Sequence, residues 1–505
     1  MTTHSTGPAS GGYKSVLQRE DEGLSYLPLR EADKPVTVIG TQAIVDAMDE
    51  NCIQQAVNSR LAPGITDLVL NPDAHFGYGA PVGCVMSSPT HVYPGPVGVD
   101  IKCSMSLLQT NVSAEDIADR RVRRKLINAI CQRIPTGAGK GQRDVRKGRN
   151  VDERLGFELA TEGASRNVLR KLGIPGEWAA RCEDAYHRAP DGTIDSLARR
   201  LEKLINTSLG RFGAQMRQLG SYGGGNHFGE CEEVALTGNQ SLRAVADAFG
   251  LQDGKIAFLS HCGSRGFGHT LASHQFKTLK DQFKKAGRAF PAGDPELCYA
   301  EINTPEADDY LRDMALGANF ATVNHLLINQ LVLEAFQQVL PGTQGSLVYF
   351  ISHNIARREM VDGIEQWVHR KGATRAMPAG HTELQRTPFA DCGHPILLPG
   401  NPRDGSAVMV ALPGASRSCY SVNHGAGRAM SRRNAKRHLV QETIDQEFDQ
   451  HDILSNCRFY PRDEAPAAYK DFEEVLRSVK VAGLAAEVAR LKARFVIKDG
   501  DEPDD

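Results

Sequence analysis

Apolar residues recur with two different periods along this chain, and each period predicts one kind of secondary structure. Short β-branched runs broken by glycine and proline predict strands and sharp turns over 35–110 and 395–423. Apolar runs at 254–262 and 346–354 predict two further strands, which are buried. Spacing of three or four residues predicts helices over 41–60, 153–171, 194–217, 308–339 and 431–450. Strands and helices in this order predict an α+β fold.

Three further segments carry weaker signals. Ser113, with Asp116 three residues on, has a capping-box pattern, so a helix is expected to begin at Ser113. Residues 275–305 are polar and irregular, which predicts a surface excursion. Helical spacing near the end of the chain predicts a last helix. The apolar stripe of this helix and of the residues where the chain leaves it is expected at Leu484, Val488, Leu491 and Phe495.

Composition and charge exclude several protein classes. The net charge of -2 means that any nucleic-acid contact must come from local basic patches. The N-terminus has no apolar core of the kind found in secretory signals, and the run 347–351 is far too short to span a bilayer. A cytoplasmic protein without membrane contact is expected. The 11 cysteines are scattered along the chain, so reduced thiols are expected, of which one or two could bind metal.

Six short segments place glycine beside histidine, asparagine, aspartate or cysteine, mostly after strand-like runs. Such segments are typical of loops that build functional sites, and glycine lets the backbone approach a phosphate closely. Taken singly, each histidine is more often part of hydrogen-bonded structure than a ligand. The six segments are NPDAHFGYG (71–79), GVDIKCSM (98–105), GGGNHFGE (223–230), SHCGSRGFGH (260–269), SHNIARRE (352–359) and NHGAGRAMSRR (423–433).

Five residues from these segments form a candidate metal-ligand set with one thiolate, one carboxylate and three imidazoles. A mixed set of this kind suits manganese, iron or zinc better than magnesium, and a thiolate can bridge two ions. The wide spacing along the chain is unlike the close Cys and His pairs of a zinc finger. Spacing alone leaves a metal site and a purely structural role equally open. The five residues are Asp100, Cys103, His227, His261 and His353.

The same segments resemble the signature motifs of the RtcB RNA ligases. HRKGATRA stands unaltered at 369–376, HGAGRAMSR occupies 424–432, and the match runs in family order from Asp73 to Lys498. The resemblance implies one large domain in which mixed sheets form a sandwich around a central metal and nucleotide cleft, with surrounding helices. We expect this domain at 26–500, after a flexible N-terminal segment at 1–25 and before an acidic tail at 501–505.

The resemblance also implies a role for each matching residue. His424 would be the nucleophile that takes GMP from GTP, with Asp73 and Arg265 as further active-site residues. Asp100, Cys103, His227, His261 and His353 would hold two manganese ions, bridged by Cys103. Glu230 and Lys498 would recognise guanine, and Tyr469 would stack on it. The complete nucleotide-binding set would be Asn226, Glu230, Asn354, Ser406, Gly425, Ala426, Gly427, Tyr469 and Lys498.

The implied reaction joins RNA with a 3′-phosphate or 2′,3′-cyclic phosphate to RNA with a 5′-hydroxyl, in tRNA splicing or RNA repair. A monomer is expected, and an activator of the archease type is a further candidate partner. A metal-dependent RNA phosphodiesterase or phosphatase on the same scaffold is an alternative, as is a non-catalytic RNA-binding protein with a structural metal. Retention of His424 favours the ligase, because hydrolysis does not need that nucleophile.

Two basic segments could contact RNA. The loop at 135–150 and the run that follows the expected nucleophile, 432–437, are candidates for RNA contact, although either could be a solvated surface.

The chain departs from the family pattern in two segments, DIKCSM at 100–105 and PGNPRDGS at 399–406. In DIKCSM, Lys102 is expected to add a cation near the metals, and Ser104 replaces a glycine. In PGNPRDGS, Arg403 could hold a phosphate of the nucleotide or simply pair with Asp404.

Overall fold

Two large mixed β-sheets and surrounding helices make up residues 12–500, the part of the chain that this computed structural model describes. The strands are β1 (Gln18–Arg19), β2 (Leu24–Leu27), β3 (Val36–Ile39), β4 (Asp67–His75), β5 (Val82–Ser88), β6 (His91–Val92), β7 (Ser104–Ser113), β8 (Phe228–Leu236), β9 (Lys255–Cys262), β10 (Ala300–Glu301), β11 (Gly345–Ser352), β12 (Asn354–Val361), β13 (Ile364–Lys371), β14 (Ala373–Arg375), β15 (Pro395–Asn401), β16 (Gly405–Ala411), β17 (Ser421–Asn423), β18 (Leu454–Ser455) and β19 (Ala485–Lys498). The α-helices are α1 (Gln42–Ala47), α2 (Glu50–Arg60), α3 (Arg120–Cys131), α4 (Glu153–Glu162), α5 (Arg166–Leu172), α6 (Ile194–Thr207), α7 (Phe212–Met216), α8 (Arg243–Phe249), α9 (Arg265–Lys285), α10 (Pro305–Val339), α11 (Arg432–His438), α12 (Gln441–Gln450) and α13 (Phe472–Val481).

The two large sheets are both mixed. The first has the strand order β1-β2-β3-β4-β5-β13-β12, and β3 runs parallel to β4. The second has the order β11-β7-β9-β8-β19-β16-β15, with the short β18 pairing in parallel with β19. The predicted α+β fold with mixed sheets is therefore confirmed.

Alternating side chains pack the first sheet on both of its faces. On β4, Val69 belongs to an apolar cluster that includes Leu398 and Met409 of the second sheet. Its neighbours Leu68 and Leu70 point the other way, into a cluster with α2. This period-two pattern is what a strand buried on both sides requires, and it makes the two sheets the layers of a sandwich.

The 35-residue helix α10 forms the centre of the helical layer on the outer face of the second sheet. Thr304 caps it, because its Oγ1 accepts a hydrogen bond from Ala307 N at 3.3 Å, and Pro305 suits the first turn. Phe336 packs edge-on against Phe258 of β9, with 6.4 Å between the ring centroids. Within residues 12–500, no helix combines the length and the apolarity needed to cross a membrane.

The prediction of a last helix is wrong, because residues 485–498 form the strand β19. Its register shifts by one residue twice, once beside β16, where Val488 is skipped, and once beside β8, where Arg494 is skipped. Each β-bulge reverses the side-chain alternation. Val488 and Leu491 pack in one apolar cluster and Phe495 packs in another on the opposite face, so burial on both faces gives these residues a spacing that imitates one face of a helix.

Two other expectations need correction. Residues 13–25, expected to be flexible, instead form a helical turn and strands β1 and β2, the second of which pairs with β3. The first part of the segment expected to be irregular at 275–305, residues 275–285, belongs to α9, whereas 286–304 holds only 3-10 turns and the short strand β10. Residues 1–11 and the predicted acidic tail at 501–505 lie outside the described residues.

The capping-box pattern at Ser113 forms, but it does not start the long helix. Asp116 N donates to Ser113 Oγ at 3.3 Å, and Ser113 N donates to Asp116 Oδ2 at 2.8 Å. These bonds enclose only a 3-10 turn at Glu115–Ile117. The helix α3 begins after Asp119, whose side chain caps Arg121 N at 2.8 Å.

Candidate metal and nucleotide site

A cavity of about 310 Å³ collects residues from most of the motifs that the sequence singled out. They come from strand ends and from the loops that follow, which is where the two sheets bring distant parts of the chain together. The predicted site residues in its lining are Asp100, Cys103, Asn226, His261, His353, Asn354, His424, Gly425, Ala426, Gly427 and Tyr469.

Cys103 lies at the centre of the candidate metal ligands. Its Sγ is 3.1 Å from His261 Nε2, which is itself 3.3 Å from His353 Nε2. The same Sγ is 3.5 Å from His227 Nε2, which is 2.9 Å from Asp100 Oδ2. The five residues thus form two groups, Cys103 with His261 and His353, and Cys103 with Asp100 and His227.

Strand pairing explains why these ligands meet. β7 and β8 both pair with β9, so that His261 lies opposite Met105 on one side and Phe228 on the other. Cys103 lies two residues before Met105, and His227 directly precedes Phe228. His353 N donates to Cys103 O at 2.9 Å, which brings the fourth ligand to the same place. Gly263 is required here, because a Cβ at that position would lie 2.3 Å from Asp100 Oδ1.

Hydrogen bonds to backbone carbonyls fix the tautomers of two of the imidazoles. A carbonyl can only accept, so Nδ1 of His227 donates to Tyr222 O at 2.9 Å, and Nδ1 of His261 donates to Asn226 O at 3.1 Å. In a neutral ring, Nε2 of His261 then presents a lone pair to Cys103. Nε2 of His227 instead faces Asp100 Oδ2 at 2.9 Å, and although burial opposes it, Cys262, Cys103 and Asp100 raise the pKa of His227 well above its ordinary value, so a metal ion must displace a proton there. Burial and the neighbouring imidazoles hold the pKa of His261 and of His353 well below the ordinary value, which favours the neutral form.

The donor set fits a metal ion. Donors bound to one ion at about 2.0–2.3 Å in a tetrahedral arrangement lie roughly 3.5 Å apart, close to the separations measured around Cys103. Burial raises the pKa of Asp100, but the adjacent His227 outweighs this effect and leaves it below the ordinary value, so the carboxylate is charged. One thiol, one carboxylate and three imidazoles suit manganese, iron or zinc.

His424 adjoins the metal ligands, with its ring centroid 4.7 Å from that of His353. Its Nδ1 lies 2.8 Å from the carbonyl oxygen of Gly372 and 2.7 Å from Asp73 Oδ2. Both atoms accept, so Nδ1 carries the hydrogen and Nε2 of the neutral ring carries the lone pair. Asp73 also accepts from His424 N at 3.2 Å, which fixes the backbone beside the ring.

Two glycines allow this close packing around His424. Gly427 has a φ of +73° and a Cβ there would lie 2.3 Å from Asp73 O. Gly372 has a φ of +63°, and a Cβ there would come within 3.0 Å of the His424 ring. Any side chain at either position would displace the His424 ring from the Asp73 carboxylate.

A smaller cavity of about 30 Å³ opens next to the main one and is lined by Glu230, Tyr469 and Lys498. Burial raises the pKa of Glu230 to about 8, against the opposing effect of Lys498. Glu230 Oε1 is buried and has no hydrogen-bond partner among the described residues. A buried acceptor of this kind is costly unless a ligand satisfies it, and the hydrogen-bond donors on the edge of a guanine base would do so.

Glu464 is a residue of this site that the sequence did not reveal. Its carboxylate lies 2.9 Å from Lys498 Nζ and accepts a hydrogen bond from Tyr469 Oη at 2.8 Å. It also pairs with Arg428 and Arg432, at 3.4 Å and 2.5 Å. Although burial opposes ionisation, Lys498 and the two arginines lower the pKa of Glu464 to about 2. The sequence feature that could have identified Glu464 is its position, five residues before the predicted stacking residue Tyr469.

The remaining predicted residues lie around the cavities with distinct contacts. Asn354 Oδ1 accepts from Gly372 N at 2.9 Å, which links the candidate metal ligand His353 to the backbone beside His424. Arg265 lies beside the loop before Asn226, where its guanidinium occupies the space that a side chain at Gly223 would need. Ser406 lies opposite Pro399 on β15 and lines neither cavity, although Pro399 lines both.

The expectation that Lys102 adds a cation near the metals is wrong. Its side chain is buried on the helical side of the sheet, where Nζ donates to Thr322 Oγ1 at 2.7 Å and to Asp184 O at 3.0 Å. The φ of +54° at Lys102 turns its side chain away from that of Cys103. Ser104 Oγ closes the turn by donating to Lys102 O at 2.7 Å.

The rewritten loop forms a tight turn between β15 and β16. Asn401 Oδ1 accepts from the backbone nitrogens of Arg403 and Asp404, both at 3.1 Å. The Arg403 guanidinium pairs with Asp404 at 2.7 Å and with Glu447 of α12 at 2.9 Å. Asn401 and Pro402 line the smaller cavity and Arg403 does not, which favours the interpretation of Arg403 as a surface ion pair.

The two basic segments meet along one groove of about 820 Å³ beside these cavities. Lys140 of the 135–150 loop and Lys436 of α11 both line it. Arg432 lines this groove and the main cavity, so the two adjoin each other. Cations on both walls fit contact with a phosphate backbone better than two unrelated solvated surfaces.

Comparison with known proteins shows the family of this chain. Residues 55–499 match the family model described as tRNA-splicing ligase RtcB. A tRNA-splicing ligase RtcB of Archaeoglobus fulgidus is 34% identical over 91% of this chain and 93% of its own length. A tRNA-splicing ligase RtcB of Aeropyrum pernix is 33% identical over 92% of this chain and 95% of its own length. An RNA-splicing ligase RtcB of Mycobacterium tuberculosis is 32% identical over 86% of this chain and 98% of its own length. The chain therefore belongs to the RtcB family of RNA ligases.

Proposed function

We propose that this protein is a GTP-dependent ligase that joins RNA 3′-phosphate or 2′,3′-cyclic phosphate ends to 5′-hydroxyl ends through a guanylyl-His424 intermediate. The observation that carries the proposal is the environment of His424. Asp73 and Gly372 hold its Nδ1–H, so that Nε2 is the nucleophilic atom in a cavity shared by the metal ligands and Tyr469.

In the first step, Nε2 of His424 attacks the α-phosphorus of GTP. A bond forms between nitrogen and phosphorus, the bond to the β-bridging oxygen breaks, and pyrophosphate leaves. Nδ1 keeps its hydrogen throughout, and the Asp73 carboxylate stabilises the positive charge that develops on the ring. Arg428 and Arg432 line the same cavity and supply cations for the nucleotide phosphates.

Guanine is held in the smaller cavity. Glu230 accepts from its N–H groups, Tyr469 stacks on its ring and Lys498 contacts its edge. Glu464 positions Tyr469 and Lys498 through the bonds described above. Asn226, Asn354 and the Gly425–Gly427 segment, which line the main cavity, complete the proposed nucleotide contacts. Ser406 lines neither cavity and is proposed to support Pro399 on the paired strand.

In the second step, an oxygen of the RNA 3′-phosphate attacks the guanylate phosphorus, and the bond to Nε2 breaks. In the third step, the 5′-hydroxyl attacks the RNA phosphate and GMP leaves. A cyclic phosphate must first be opened by hydrolysis. Manganese ions held by Asp100, Cys103, His227, His261 and His353 would neutralise phosphate charge and orient attacking oxygens. Arg265 is proposed to assist in the cleft.

An RNA phosphodiesterase or phosphatase would need the metal ligands but not the nucleophile. The retention of His424 together with its carboxylate partner, Asp73, favours the ligase. An archease-type activator, a monomeric state and a role in tRNA splicing or RNA repair remain predictions.

Joining assays with defined RNA ends test the proposed reaction. With GTP and manganese, the protein is expected to join a 3′-phosphate or 2′,3′-cyclic phosphate end to a 5′-hydroxyl end without any 5′-phosphate. Gel electrophoresis of labelled strands measures the product, and omission of GTP is the control. Joining only of 3′-hydroxyl to 5′-phosphate ends would contradict the mechanism.

Replacement of Arg403 by alanine is expected to leave the GTP concentration for half-maximal self-labelling within about two-fold of the wild-type value. The guanidinium is partly exposed and pairs with Asp404 and Glu447, and such surface pairs contribute little. Titration of self-guanylylation with GTP measures the effect. A rise of about ten-fold or more would show that Arg403 turns toward the nucleotide.

A further inference from the structure

Two aromatic side chains project into solvent from one short loop beside the catalytic cleft. The loop at 76–80 joins β4 to β5, and we call it the aromatic loop. Phe76 is 59% exposed and Tyr78 is 81% exposed. Among the large apolar residues that are exposed within 12–500, the other aromatic ones are Tyr186 and Phe459, so half of them lie on this loop.

The backbone of the aromatic loop is held by buried polar side chains. Gln55 of α2 makes two bonds to Gly77, from Nε2 to the carbonyl oxygen at 2.6 Å and from Gly77 N to Oε1 at 3.0 Å. Lys371 Nζ donates to Ala80 O at 3.1 Å and also to Tyr78 O. Gln55 and Lys371 are both buried. The loop is therefore a fixed support that presents its two rings outward.

The same elements support the nucleophile. β4, which leads into the aromatic loop, carries Asp73, and Lys371 directly precedes Gly372, whose carbonyl oxygen accepts from His424. His75 Nδ1 donates to Phe76 O at 3.0 Å, and His75 lines the main cavity. His75 does not line the smaller cavity around Tyr469 and Lys498. Phe76 and Tyr78 line neither cavity, but the aromatic loop adjoins the main cavity at His75 and Lys371, on a side away from the smaller cavity.

We propose that Phe76 and Tyr78 form a stacking platform for the terminal nucleobases of the RNA strand that carries the 3′-phosphate. This inference rests on the proposed ligase function. Every base has a flat face, so stacking on aromatic side chains binds single-stranded RNA ends with little sequence preference. A ligase that accepts broken ends of varied sequence needs that kind of contact. The strand assignment follows from His424, because the 3′-phosphate must reach the guanylate formed there.

The first test compares two steps of the reaction in the double variant Phe76→Ala/Tyr78→Ala. The KM for the 3′-phosphate strand in joining is expected to rise about ten-fold or more, since the loss of even one stack weakens binding by roughly that factor. Self-guanylylation, which needs GTP alone, checks that the site is intact. Tyr186→Ala removes another exposed ring, 52% exposed and packed against Arg188, and serves as the matched control. Phe76→Trp and Tyr78→Phe are expected to keep the wild-type KM.

Abasic substrates separate stacking from a general loss of structure. Removing the last two bases of the 3′-phosphate strand is expected to raise the wild-type KM and to leave the double variant nearly unaffected. The proposal is overturned if the double variant retains the wild-type KM, or if only abasic sites in the 5′-hydroxyl strand matter. Failure of the wild-type protein to label itself with GTP would instead contradict the proposed function.

Discussion

Replacement of His424 by alanine is expected to abolish the transfer of label from α-labelled GTP to the protein. No other side chain that lines the main cavity combines an Nε2 lone pair with a carboxylate on Nδ1 in the way that His424 does with Asp73. The side chain is mostly buried but faces the cavity, so its loss leaves the sheets and their apolar core unchanged. Denaturing electrophoresis after incubation with GTP and manganese measures the covalent label.

A conservative change at Asp73 tests whether its negative charge supports the reaction of His424. Asp73→Asn keeps the size of the side chain but removes the negative charge next to the developing imidazolium. Labelling is expected to fall by roughly a hundred-fold or more, by analogy with the loss of the carboxylate in a catalytic triad. His438→Ala, which removes an exposed histidine on α11, is the matched control. Full labelling of His424→Ala would show that another residue is the attachment site.

The sequence predicted the position of the site better than its internal geometry. Motifs with glycine, histidine and aspartate marked Asp73, His227, His261, His353 and His424, and the resemblance to one family assigned each a role. These residues do meet around one cavity region. The separations around Cys103 depend on strand register, which is set by long-range pairing and cannot be derived from local patterns.

Glu464 and Lys102 show why residue type alone misleads near a site. Glu464 joins Tyr469, Lys498 and two arginines through contacts that exist only in the folded chain. Lys102 precedes a metal ligand in sequence, yet the left-handed backbone at Lys102 sends its side chain to Thr322 of α10. Neither orientation follows from the order of residues, because both depend on elements far away along the chain.

The fold was predictable where one period held throughout an element. The long apolar spacing of α10 and the β-branched runs of β15 and β16 gave the correct assignments. β19 failed because its two bulges each change the side-chain alternation. The helix α9 was missed because many of its polar residues face solvent, which resembles an irregular surface segment.

Replacement of Cys103 by alanine is expected to remove both metal ions from the purified protein, whereas His353→Ala removes one. Cys103 is the only residue shared by the two candidate ligand groups within residues 12–500, and His353 belongs to one of them. Burial and Asp100 raise the pKa of the Cys103 thiol above its ordinary value, so metal must displace a proton to bind it. Metal affinity is therefore expected to fall as the pH falls.

Metal analysis by mass spectrometry, with manganese supplied during purification, measures these losses directly. Cys262→Ala is the matched control, because Cys262 is buried next to His261 but its thiol donates to Ser221 O at 3.1 Å instead of contacting the ligands. That variant is expected to keep about two ions per chain. If Cys103→Ala loses only one ion, the thiolate binds a single metal and the bridge is wrong. If it loses none, Cys103 is not a metal ligand, and the short contacts around its Sγ are ordinary packing between a buried thiol and neutral imidazoles.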